Sequence, residues 1–130
     1  MKSLLKNKHG FTLIEIMAVL VIMGVMASVA VSKINDISGT AEVRALGTGV
    51  AELNVRETLI WTNAKFSAGG WSAGGDAAVW VTMSAETDLG FEYSWSAGPG
   101  AGGGTLNFGS RSFNLTRTAS TNTSSGRWSL

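Results

Sequence analysis

The sequence has no cysteine, one proline and one histidine in 130 residues. Without cysteine, a disulfide framework, a thiolate metal site and a cysteine nucleophile are excluded. The one histidine, His9, lies at the extreme N-terminus, which leaves a catalytic triad or a histidine-ligated metal without material. Charge is scarce as well, at 15% of residues with a formal net charge of +1. The first 14 residues hold no acid but carry Lys2, Lys6 and Lys8. Without Met1–Gly10 the chain would carry seven basic and nine acidic side chains, a poor balance for binding nucleic acid.

What the chain does have is an apolar run. Residues 11–31 contain a single charge, Glu15. As a helix these 21 residues would cover about 31 Å, close to the hydrocarbon thickness of a bilayer. The lysines ahead of the run keep that end cytoplasmic, so the chain beyond Lys33 is expected across the membrane. A basic stretch before an apolar run also fits an ordinary export signal, with Ser28-Val29-Ala30 as the cleavage site. Two features weigh against that reading. The run is longer than the ~7–15 residues of a signal core. Glu15, moreover, is costly inside a bilayer and has no use in an export signal.

Lys6-Asn-Lys-His-Gly10 followed by Phe11-Thr-Leu-Ile-Glu15-Ile-Met resembles the type IV prepilin signature shared by pilins and pseudopilins. That resemblance implies a membrane prepilin peptidase cutting between Gly10 and Phe11, with methylation of the new Phe11 amine. It implies that Glu15 then pairs with the Phe11 amine of a neighbouring subunit during assembly. It also implies an inner-membrane assembly platform with its ATPase, while the residues themselves offer no constellation for catalysis, and no cofactor or metal is expected. The subunit is expected in the inner membrane before assembly, and in an extracellular pilus or periplasmic pseudopilus afterwards. Physically, Gly10 lets an extended backbone enter a narrow cleft. A buried carboxylate left without a partner costs several kcal/mol, about enough to make its pairing directional.

Beyond the run, Ile34, Ile37, Ala41, Leu46, Val50, Leu53 and Ile60 keep a period near 3.6. Lys33, Asp36, Glu42, Arg44, Glu52, Arg56 and Glu57 are expected on the outer surface, with Glu52 and Arg56 paired at i,i+4. The pattern predicts one long helix over residues 11–62, with 11–31 as the membrane and assembly segment. Ala30-Val-Ser-Lys33 lacks the proline that similar proteins often carry there, so no kink is expected. Gly24, Gly39, Gly47 and Gly49 interrupt the helix as close-packing sites or as points of melting.

Residues 63–130 read as a small β-rich head. Lys65–Gly75 is a Gly/Ser-rich loop holding Trp71. Val79-Trp-Val-Thr-Met83, within Ala77–Ser84, reads as a strand, as does Phe91-Glu-Tyr-Ser-Trp95. Ala97–Gly104, with five glycines and Pro99, reads as a loop. Thr105–Phe108 and Arg111–Thr116 form a hairpin about Gly109-Ser110, with Phe113 and Leu115 on one face. Ala119–Ser125 is irregular, and Arg127–Leu130 adds an edge strand. The fold class is therefore α+β: a leader of residues 1–10, a long helix, and a small antiparallel sheet packed on it.

The remaining chemistry is thin. Asp76, Glu86, Asp88 and Glu92 could ligate calcium as in some pseudopilins, but they lack EF-hand spacing and fit solvated loops. The glycine loop lacks the lysine of a phosphate-binding loop. The five tryptophans fit a thin core better than a carbohydrate, DNA or electron path. Asn114-Leu-Thr116 and Asn122-Thr-Ser124 match a glycosylation pattern in a tail rich in Ser and Thr. Past Phe66, all four acids precede the glycine loop and Arg111, Arg117 and Arg127 follow it. This segregation suggests oppositely charged patches meeting between subunits. The expected function is that of a structural filament subunit. The alternatives are a type II secretion pseudopilin or minor pilin and, more remotely, an exported binding protein cut after Ala30.

Overall fold

The computed structural model describes residues 10–71 and 74–130. Lys2, Lys6, Lys8 and His9 lie outside the described residues. The chain divides into two units, one ending at Ser38 and the other spanning Gly39–Leu130.

Helix α1, Leu13–Phe66, begins in the first unit and ends in the second. It contains a stretch long and apolar enough to cross a membrane, none of which is buried. Helix α1 starts two residues later than the sequence suggests and runs four residues further, ending where Ser67 bonds back to Ala64.

In the second unit α1 is one wall of a small α+β fold. Helix α2, Gly75–Ala85, follows, and then four strands: β1, Tyr93–Gly100; β2, Gly103–Phe108; β3, Arg111–Thr118; and β4, Arg127–Ser129. The sheet is an antiparallel meander in the order β1-β2-β3-β4. Leu46 and Leu53 of α1, Met83 of α2, Leu106, Leu115 and Trp128 form its core. Trp128 packs between the tilted rings of Trp80 and Trp95, at centroid distances of 6.2 and 5.8 Å. The expected use of tryptophan as core filler therefore holds for these three.

Polar side chains of α1 fasten the sheet. Asn54 receives the Trp128 amide at 2.8 Å and donates to the Trp128 carbonyl at 3.0 Å, pairing with β4 as a neighbouring strand would. Arg56 holds the expected Glu52 at 2.8 Å and reaches the carbonyls of Glu86 and Asp88 beyond the end of α2. Glu42 accepts from the Ser110 hydroxyl at the β2–β3 turn, and the Tyr93 hydroxyl donates to the Ala45 carbonyl.

Two segments differ from the sequence reading. Val79–Met83 is helical: Val79 and Met83 are buried one turn apart while Val81, between them, is 71% exposed. Burial at i,i+4 outweighs the local strand preference of Val and Trp. Residues 97–104 are mostly strand, with only Ala101-Gly102 as the turn. At Gly98, Gly103 and Gly104 backbone segments approach closely. A Cβ on Gly104 would lie 2.6 Å from the Ala97 carbonyl oxygen, and one on Gly103 would overlap the Leu115 carbonyl. Gly49 is likewise a close-packing site, because a Cβ there would meet Tyr93 at 2.9 Å. Gly24 and Gly47 have nothing within 4 Å of that position.

Candidate functional site

The residues singled out by the sequence gather at the start of α1. Gly10 is exposed, with nothing within 4 Å of where a side chain would begin. Phe11 is 85% exposed. The helix begins at Leu13, and the Thr12 carbonyl accepts its first turn's bond from the Ile16 amide at 3.2 Å. Thr12 is thus the N-cap and Glu15 the third helical residue, the spacing of a capping box.

The geometry completes that box. The Thr12 amide donates to Glu15 Oε2 at 2.7 Å, and the Glu15 amide donates to Thr12 Oγ1 at 3.3 Å. The Thr12 hydroxyl also reaches Oε2, at 3.0 Å. The side chain of each residue therefore satisfies an amide that the helix start leaves without a partner. Sequence reading gave Glu15 only an intersubunit role and missed its local one. The Thr-x-x-Glu spacing was the available signal.

A basic, glycine-ended leader, a capped helix start with an acid at its third position, and an uncovered apolar helix follow one another in fixed order. These residues are a type IV prepilin leader signature. A family model described as the prokaryotic N-terminal methylation motif matches residues 5–31. No curated protein and no solved structure matches the chain. The prepilin signature covers Gly10, Phe11 and Glu15, and it marks the exposed segment of α1 as a transmembrane helix. The long helix with its four-stranded sheet is a pilin-like fold.

A second cluster of charge lies inside the Gly39–Leu130 unit. The side chains of Arg117 on β3 and Glu57 on α1 are fully buried. Arg117 Nε and Nη2 bond to Glu57, with Nη2 at 2.5 Å from Oε1. Nη1 and Nη2 hold Asp76 at 3.1 and 2.7 Å, and Nη1 also reaches the Ala101 carbonyl. The Trp128 indole donates to Glu57 Oε2, while the guanidinium lies 5.1 Å from the centre of the Trp80 ring. Asp76 also accepts from the Ser120 amide and hydroxyl. Burial alone would raise the Asp76 pKa, but the donors from Arg117 and Ser120 prevail and hold it down at about 2. Burial would lower that of Arg117, but the two carboxylates outweigh it and raise the pKa further.

This cluster corrects two expectations. Glu57 is not on the outer surface, and Arg117 cannot serve a patch between subunits, because its partners are Glu57 and Asp76 of its own chain. Arg111, the other basic residue of β3, lies 3.9 Å from Glu42 on α1. Among the described residues no three His, Cys, Asp or Glu side chains gather to hold a metal ion. Asp76, one of the four acids considered for calcium, is occupied by Arg117 and Ser120.

Proposed function

We propose that the chain is a structural subunit of a type IV pilus-like filament, cut between Gly10 and Phe11, methylated on the new Phe11 amine, and polymerised through its N-terminal helix. The observation that carries this reading is the apolar segment of α1. It follows the prepilin signature directly and none of it is covered by the rest of the chain. In the precursor a bilayer covers it, and in a filament the same segments of other copies do so. Glu15 suits a pairing role because both bonds from Thr12 land on one carboxylate oxygen, Oε2, and a carboxylate accepts more than two hydrogen bonds. The amine released at Phe11 is the donor of matching charge. Prepilin peptidase and the inner-membrane assembly machinery are the partners that this route requires, and the reading assigns no catalytic step to the chain itself.

The mass of the mature N-terminal peptide tests the proposal. It should begin at a methylated Phe11, and Gly10→Leu should leave the precursor uncut in the membrane. A mature chain beginning at Val31, or normal processing of Gly10→Leu, would overturn the reading in favour of ordinary export.

A further inference from the structure

Four of the five tryptophans have a structural task inside the Gly39–Leu130 unit. Trp80, Trp95 and Trp128 pack together in the core. The Trp61 indole donates to the Thr121 carbonyl, with the Lys65 ammonium 5.7 Å from its ring centre. Trp71 is the exception. It neither belongs to the core nor packs against it. Among the described residues its indole N–H meets no acceptor, and its ring meets no aromatic or cationic side chain. A half-buried indole is a large apolar face with a polar tip, and both ordinarily find partners.

The Trp71 ring forms one wall of a half-open cavity of about 340 Å³ between the end of α1 and α2. Small-molecule sites span roughly 300–1,000 Å³, so this one suits a single small ring. Gly70 and Gly75 line it with left-handed φ angles of 57° and 56°, a backbone that other residues adopt only under strain. A Cβ on Gly75 would already stand 3.8 Å from the indole, and a longer side chain would crowd the ring.

No charged side chain lines the cavity. Lys65 and Asp76, beside it in sequence, are bonded to Asn122 and to Arg117 with Ser120. The polar groups that do line it are neutral. Asn63 is exposed and has no hydrogen-bond partner among the described residues, so its amide offers both donors and an acceptor. The Ser67 and Thr82 hydroxyls donate to the Ala64 and Ala78 carbonyls, which leaves their oxygens able to accept.

We infer that this cavity is a binding site for an uncharged sugar ring. The C–H face of a pyranose covers the Trp71 indole. Its hydroxyls, each a donor and an acceptor, match the Asn63 amide and the Ser67 and Thr82 oxygens. Other ligand classes leave something unmatched. A cation over the indole would find no carboxylate, and an anion would find no base. A hydrocarbon would take water from Asn63, Ser67 and Thr82 and return no hydrogen bond. The site lies within one chain and does not depend on the proposed filament reading.

The test uses the full chain in zwitterionic micelles, whose head groups carry no sugar. The probes are the methyl glycosides of glucose, galactose, mannose and N-acetylglucosamine. Cyclohexanol, choline and glucuronate serve as apolar, cationic and anionic controls. The Trp71 indole N–H signal, assigned by its absence from Trp71→Phe, should shift saturably with at least one neutral glycoside and with no control. Trp71→Ala should abolish binding in calorimetry. Asn63→Ala should weaken it by about threefold to tenfold, the usual loss with one neutral hydrogen bond. The Trp95 and Trp128 indole signals should stay in place in both variants. The polysaccharide built from the sugar that binds separates the two sources: binding of the polymer assigns the site to a glycan chain, and binding of the glycoside alone assigns it to a free sugar. No shift with any neutral glycoside, binding that survives Trp71→Ala, or tighter binding of a control overturns the inference. If Trp71→Ala displaces the other indole signals, Asn63→Ala decides alone.

Discussion

Arg117 uses all five of its N–H donors inside one small unit: two carboxylates and a carbonyl receive them, with an indole ring against the guanidinium. Removing one member of a buried ion pair strands the other without water, which costs about 3–5 kcal/mol. Arg117→Met is therefore expected to destabilise the unit by about that much, since Glu57 is left fully buried with Trp128 as its one donor among the described residues. Urea unfolding in detergent, followed by tryptophan emission, measures this, and an unchanged midpoint would show the node to be dispensable. Both charges announced themselves in the sequence in a way that needed three-dimensional pairing to interpret. On β3, Phe113, Leu115 and Arg117 alternate onto one face, and on α1, Glu57 continues the phase of Val50 and Leu53. An acid and a base that each fall on the apolar side of their element are complementary, but nothing in the spacing says that they meet.

Among the elements, the start of α1 lets the observed capping by Glu15 be separated from its proposed pairing with a neighbouring subunit. Thr12→Ala removes the cap's hydroxyl and should cost about 0.5–2 kcal/mol of local helix stability. Faster amide exchange at Leu13–Glu15 in micelles would report it. Glu15→Val loses the cap and the carboxylate together. It should still insert and be cut, because a membrane accepts valine more readily than an acid, yet it should fail to enter filaments. If Thr12→Ala assembles normally while Glu15→Val does not, the carboxylate acts beyond its own turn. Normal filaments from Glu15→Val would confine it to capping. Element types were readable where one periodicity dominated, as in α1, the β2–β3 hairpin and β4. They were misread where composition spoke against position. Helix α2 carries strand-forming residues that tertiary burial holds in a helix, and β2 begins with Gly103 and Gly104 because neighbouring backbones leave no room there for a side chain.

For the whole Gly39–Leu130 unit, the ion node sets a response to acid. The Asp76 carboxyl has an ordinary pKa of 3.8 and one of about 2 when folded, so the unfolded chain takes up its proton first as pH falls. Its contribution to stability is complete above pH 3.8 and drains away as pH falls toward 2. Thermal melting across that range should show the loss, and Asp76→Asn should flatten the part of the curve that this carboxyl contributes. A profile unaltered by the substitution would assign the acid sensitivity to other groups. The fold class and the prepilin signature were legible because each rests on local order along the chain. The node was not, since Glu57 and Asp76 lie 60 and 41 positions from their common partner Arg117 and meet it only once the sheet is built. Such a staple has a further property: it closes by charge alone, with no electrons to remove and no oxidant to wait for. The head should therefore fold equally well in dithiothreitol and in air, and its closure is indifferent to the redox poise of the compartment in which it occurs.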